Sequence, residues 1–181
     1  MSARNTVVRT MHDLGLAAWF GGTLMGAVAL NGGASDARDP KERLRVASRG
    51  WARWAPLQLG AMIIHGVGGV GLILGNKSRL AAQPEARGNT AVKLTLTVLA
   101  AASSLYAGIL GARIARHADE GGEGVTEPDG RSSRELADAQ RQQRIVQWVA
   151  PALTAVLIGL GAHQGEQQRP FAGLVHTLTG R

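Results

Sequence analysis

Charge disappears from four stretches of this chain, each long enough to cross a bilayer: residues 14–35, 54–76, 94–112 and 145–165. All 20 Lys and Arg and all 13 Asp and Glu lie outside them. A spanning helix needs about 20 mostly apolar residues, each rising ~1.5 Å. A long helix on the surface of a water-soluble protein would carry a charged face at a period of about 3.6 residues, and none of these stretches does. A charge at the centre of a spanning helix costs about 2.5–3.5 kcal/mol on insertion scales, so the pattern is the one that lipid requires. The mean hydropathy of −0.01 hides it by averaging oily spans with very polar connectors.

The reading is therefore all-α: a four-helix transmembrane bundle with a short polar helix before the last span. Residues 1–181 form a single integral membrane domain, with spans near 10–31, 54–75, 91–116 and 145–163. Arg4 and Arg9 ahead of an apolar run, with Ala27-Val28-Ala29 further on, match a signal peptide in outline. His12 and Asp13 interrupt that pattern, and a retained first helix is expected. Asn31-Gly32-Gly33 is read as its stop signal. Part of the first connector, 40–49, suits a short surface helix, and Pro56 falls in the first turn of span two, where its missing N–H does no harm. Residues 119–130 are acidic and Gly-rich and are expected to form a flexible loop. Ser132-Ser133-Arg134-Glu135 resembles a capping box that would open a polar helix over 133–144. Pro151 is expected to kink its junction with span four. A polar tail, 164–181, closes the chain.

With no cysteine, disulfides, iron–sulfur clusters and thiolate metal sites are excluded. The net charge of +7 could suggest nucleic acid, but the bases flank the helix ends, where anionic headgroups lie. One Tyr and two Phe are too few for a base-stacking platform. Lipid is the expected partner, and nucleic acid is not. Connectors one and three hold twelve basic residues against eight on the opposite side. The excess places those connectors in the cytoplasm and both termini outside. Trp51, Trp54 and Trp148 gather on the same cytoplasmic side, as an aromatic belt would.

Lipid supplies no hydrophobic drive between helices, so close packing of small residues must hold them together. Candidate stripes are Ala18/Gly22/Gly26, Ala61/Gly69 with Gly71/Gly75, Ala100/Ser104/Gly108/Ala112, and Ala155/Gly159. The GxGGxG of Gly66–Gly71 sits inside a span rather than after a strand, so it is read as helix packing and not as a dinucleotide loop. Trp54-Ala55-Pro56-Leu57 and Trp148-Val149-Ala150-Pro151 start spans two and four alike.

Ionisable residues inside a membrane are functional candidates by default. His65 lies mid-span on the Ala61/Gly69 stripe. Its ordinary role is a neutral ring bonding a helix carbonyl or a serine such as Ser103 or Ser104. Its sharper role is haem ligation, metal binding or a quinone contact. His12, at the start of span one, and His163, at the end of span four, lie toward the same side. His65, His12 and His163 are thus the candidate cofactor-binding set, with haem b the possible cofactor, since bis-histidine ligation needs two such nitrogens. No nucleophile elbow, P-loop or HExxH is present, so no catalytic residue is nominated and an enzyme is not expected.

His12-Asp13-Leu14-Gly15-Leu16-Ala17-Ala18-Trp19-Phe20-Gly21-Gly22 resembles the first helix of copper-resistance D-type membrane proteins. That resemblance implies a histidine at position 12 used near copper or haem. The wider pattern, including Trp54-Ala55-Pro56-Leu57 and Gly165-Glu166-Gln167-Gln168-Arg169-Pro170, resembles a four-span membrane protein family of actinobacteria with no known activity. It implies a bacterial cell membrane. The leading functional expectation is a small non-enzymatic membrane protein, an accessory or scaffold subunit packing beside another membrane protein subunit. The alternative is a haem- or metal-binding redox protein that uses the intramembrane histidines.

Overall fold

The computed structural model describes residues 3–167. The part of the expected polar tail beyond residue 167 lies outside the described residues. The described chain is helical apart from short connections and one long loop, 117–133, and contains no strand. The elements are α1 (Ala3–Met25), a π-helical turn (Gly26–Leu30), α2 (Asn31–Ser35), α3 (Pro40–Gly75), α4 (Lys77–Ala82), α5 (Pro84–Arg116), α6 (Arg134–Val146) and α7 (Val149–Gln167). Among the described residues, four helices are long and apolar enough to cross a membrane: Thr6–Ser35, Pro40–Gly75, Pro84–Arg116 and Arg134–His163. The all-α four-helix architecture is the one the uncharged stretches required.

Several boundaries differ from those read in the sequence. Asn31-Gly32-Gly33 does not stop the first span. The Asn31 N–H bonds the Gly26 carbonyl across a π turn, and the helix runs on to Ser35, whose hydroxyl donates to the Asn31 carbonyl at 2.8 Å. The first connector does not form a separate surface helix. Asp39 caps α3 by accepting from the Lys41 N–H at 2.9 Å, Pro40 opens it, and no breaker intervenes before the span. Pro56 therefore lies inside a 36-residue helix rather than in a first turn. α5 also starts earlier than expected, at Pro84. The cap of α6 is Ser133, which accepts from the Leu136 N–H at 3.2 Å. Glu135 does not close a capping box but reaches His117 Nε2 at 3.1 Å. A turn at Gln147-Trp148 separates α6 from α7, and Pro151 sits in the first turn beyond it.

α1 and α3 form the tightest pair, packed antiparallel over most of their length. Glycine permits the approach. A Cβ at Gly15 would lie 2.6 Å from the Ala61 carbonyl oxygen and the His65 N, and one at Gly68 would lie 2.4 Å from the His12 N. Backbone meets backbone at both points, so no side chain can yield. Further along the same seam the Trp54 indole covers Gly22 and the Trp51 indole covers Gly26. Gly22 and Gly26 are legible in the sequence as packing residues. Gly15 and Gly68 take the places expected for Ala18 and Gly69: Ala18 is exposed, and Gly69 has only the His12 ring edge, at 3.5 Å, near its missing Cβ.

A polar cap closes the end of the bundle that carries connectors one and three. Residues 119–130, expected to be flexible, are packed in place. Gln140 is fully buried (0 % exposed), and its amide donates to the carbonyls of Gly124 and Val125 at 3.2 Å and of Glu127 at 3.4 Å. The Arg43 guanidinium donates to the Gly122 and Glu123 carbonyls at 3.2 and 2.7 Å. Gly121 adopts a left-handed φ of 80°, a conformation that costs a residue with Cβ. Val125 inserts beside Ala34 and Ala47, and Leu44, Leu110, Ile114, Leu136 and Ala139 form an apolar core beneath. The Glu120 carboxyl accepts from the Ser133 N–H at 2.7 Å and lies 2.6 Å from His117 Nδ1. The Ser133 N–H first, and His117 after it, hold that carboxyl below the usual carboxylate range.

The glycine seam yields a position-specific prediction. Gly68→Val forces α1 and α3 apart, whereas Gly66→Val adds a side chain with nothing within 4 Å of its Cβ. Overpacking costs about 1–3 kcal/mol even where side chains can adjust. Thermal melts followed by circular dichroism in detergent should show a clear loss of midpoint for Gly68→Val and little change for Gly66→Val.

Candidate functional site

The polar residues of the membrane interior meet where α1, α3 and α5 converge, and His65 is at the centre. It is 3 % exposed. Its Nδ1 lies 3.0 Å from the His12 carbonyl. A carbonyl only accepts, so in the neutral ring the proton sits on Nδ1 and Nε2 is the acceptor. Nε2 faces the Thr97 hydroxyl at 3.4 Å. Thr97, rather than Ser103 or Ser104, is thus the hydroxyl partner of His65. The His12 carbonyl is within reach because Gly15 and Gly68 bring the two backbones together.

Trp19 fills the space beside this ring. It is 1 % exposed, its ring edge meets His65 at a centroid distance of 6.0 Å, and its Nε1 donates to the Ser104 hydroxyl at 3.0 Å. α1 is thereby bonded to α5 as well as to α3. In the sequence Trp19 stands only as one residue of a motif. A tryptophan mid-span, away from the headgroup level where the ring is usually found, is the signal that singles it out. The Thr23 hydroxyl donates back to the Trp19 carbonyl at 2.9 Å, and the fully buried Thr154 does the same to Ala150 at 2.7 Å on α7. Both satisfy their hydroxyls within their own helix.

Of the three nominated histidines, the fold brings two together. The His12 and His65 rings are 4.2 Å apart, tilted by 38°. His12 Nδ1 donates to the Asp13 carboxylate at 2.9 Å, and Asp13 is exposed. His163 is exposed near the end of α7. A haem between two imidazoles needs the rings separated by two metal–nitrogen bonds and the macrocycle plane, whereas these rings are in contact. Among the described residues, no three His, Asp or Glu side chains converge as a metal ion would require.

A second polar cluster is not apparent from the sequence. Trp51 Nε1 donates to Asn31 Oδ1 at 2.8 Å, and Asn31 Nδ2 donates to Gln147 Oε1 at 2.9 Å. The π turn makes this possible. One extra residue in the turn rotates the downstream residues by about 100° and sets Asn31 inward, where it is buried. The cluster ties α2, α3 and the α6–α7 turn together just under the cap. Asn31 and Gln147, amide side chains within uncharged stretches, are its signals in the sequence.

Comparison with known proteins finds no family model, no curated protein and no solved structure that matches this chain.

The Trp19–Ser104 bond can be measured directly. A double-mutant cycle with Trp19→Phe and Ser104→Ala, read as unfolding free energy in detergent, should return a coupling of about 0.6 kcal/mol, the usual size for an interhelical bond in a membrane protein. Strictly additive effects would mean that the bond does not form.

Proposed function

We propose that this protein is a non-enzymatic integral membrane protein that serves as an accessory or scaffold subunit, packed beside another membrane protein. The observation that carries the reading is the outer face of α7. Ala150, Pro151, Thr154 and Leu157 are buried against the bundle, while Ala152, Ala155, Gly159 and Ala162 lie exposed on the helix. Nothing lies within 4 Å of a Cβ built at Gly159. Small residues at this spacing allow a second helix to approach closely. Ala155 and Gly159, which the sequence marks as a packing stripe, therefore point outward, where a neighbouring subunit would find them.

The central polar residues fit the same reading. Both nitrogens of His65 are taken up by bonds within the bundle, as are the Trp19 indole and the Ser104 hydroxyl, so these groups serve packing rather than chemistry. A haem- or metal-binding role for His65, His12 and His163 draws less support, because His65 would have to release His12 and Thr97 first. The resemblance to actinobacterial proteins favours a bacterial cell membrane. The excess of basic residues favours a cytoplasmic cap with both termini outside.

Replacement of Gly159 by Leu tests the subunit reading. The variant should melt like the parent protein, since the position is open, yet lose whatever membrane protein copurifies in mild detergent. A parent protein that always purifies as a lone monomer would contradict the proposal.

A further inference from the structure

The turn at Gln147-Trp148, where α6 gives way to α7, lies at the boundary between cap and membrane. A shallow groove runs over the outer surface here. Arg141 and Arg144 line it toward the cap, and Ile145, Trp148, Val149 and Leu153 line it toward the hydrocarbon. These positions follow one another at spacings of three and four, so they form one stripe along the helices. Helical side chains lean toward the N-terminus, so the two guanidinium groups reach back toward the cap and away from the apolar wall. The groove therefore has a cationic end at the headgroup level and an oily end below it. Ile145 is 71 % exposed, more than a water-facing surface would favour for so large an apolar side chain, and Trp148 is exposed at the level where indole rings gather in membranes.

No carboxylate lines the groove. The nearest acidic partners stand behind the arginines. Arg141 Nη1 lies 3.3 Å from Asp138 Oδ1. Arg144 Nε lies 3.8 Å from Glu127 Oε1, beyond hydrogen-bond range, and that oxygen already accepts from the Thr126 hydroxyl at 2.8 Å. Both arginine side chains are about two-thirds exposed, and ion pairs so exposed contribute little. A guanidinium has five N–H donors, so each arginine keeps most of its donors for a further acceptor. Three residues apart on one helix, the two can reach the same acidic group.

We infer that this groove holds one anionic phospholipid, its phosphate bound by Arg141 and Arg144 and an acyl chain lying along Ile145, Trp148 and Val149. The inference rests on the membrane reading of the four spans and not on the subunit reading, since Gly159 lies about two turns further along α7. A zwitterionic lipid would bring its own ammonium group to a cationic rim. A neutral lipid would leave both guanidinium groups without an anion. An acidic peptide would satisfy the arginines but would lay backbone polar groups against a wall that faces hydrocarbon.

Native mass spectrometry of the full-length protein released from detergent micelles counts the lipids that stay bound. With dioleoylphosphatidylglycerol the parent protein should retain one saturable adduct, and dioleoylphosphatidylcholine should bind at least about tenfold more weakly. Arg141→Gln combined with Arg144→Gln should weaken phosphatidylglycerol binding by about tenfold or more, the scale of a charge-assisted hydrogen bond, with the circular dichroism of the parent. Arg49→Gln combined with Arg53→Gln removes the same charge at the entry to span two, from residues that line no part of the groove, and should bind as the parent does. Ala152→Trp fills the groove from an exposed position without changing charge and should also lose the adduct. Equal loss in the two arginine pairs would mean only the general attraction of basic residues to an anionic surface and would overturn the inference. So would equal binding of phosphatidylcholine, parent-like binding after loss of Arg141 and Arg144, or displacement of the lipid by a polypeptide adduct. These outcomes are distinct from failure of the membrane reading, which would release the protein from membranes without detergent.

Discussion

Hydrocarbon gives a helix bundle neither a hydrophobic push nor a partner for a stray polar group, so this fold depends on how closely α1 and α3 approach. Gly15 and Gly68 let main chain touch main chain. That contact carries the His12 carbonyl to His65 and sets Trp19 against Ser104. The histidine, the tryptophan and the hydroxyls are consequences of the seam. With larger residues at either glycine, the helices would stand apart and each polar group would face lipid unpaired, at a cost of several kcal/mol.

The opposite side of the bundle shows the converse. α3 and α5 are less closely joined, and a cavity of about 660 Å³ lies between them, closed by residues of α1, α2, α6 and α7. The cap above it is organised like a piece of water-soluble protein, with an apolar core, a fully buried glutamine and an arginine that gathers loop carbonyls. Membrane and cap are joined through Asn31, Trp51 and Gln147. The π turn that aims Asn31 inward is a local departure from regular helix. Such departures are concentrated at functional sites, and this one borders the cavity.

Much of this fold is legible in the amino-acid order alone. The four uncharged stretches define the spans, and His65 stands out because an ionisable residue in lipid must have a partner. The glycine faces are harder. α3 carries glycines at 50, 60, 66, 68, 69, 71 and 75, which point in several directions, so spacing alone does not select Gly68 over Gly69. The acidic loop reads as flexible because its composition is that of a disordered segment. What orders it comes from Arg43 and Gln140, distant in sequence and unremarkable in type. The outer stripe of α7 is recognisable as a packing surface, but periodicity does not say whether a packing surface faces in or out.

The whole arrangement requires that lipid, and not water, surrounds the four helices. The most direct test is alkaline carbonate extraction of membranes from cells that express the protein, with ultracentrifugation to separate pellet from supernatant. An integral bundle remains in the membrane pellet and leaves it only with detergent. Recovery of the folded chain in the detergent-free supernatant would contradict the account.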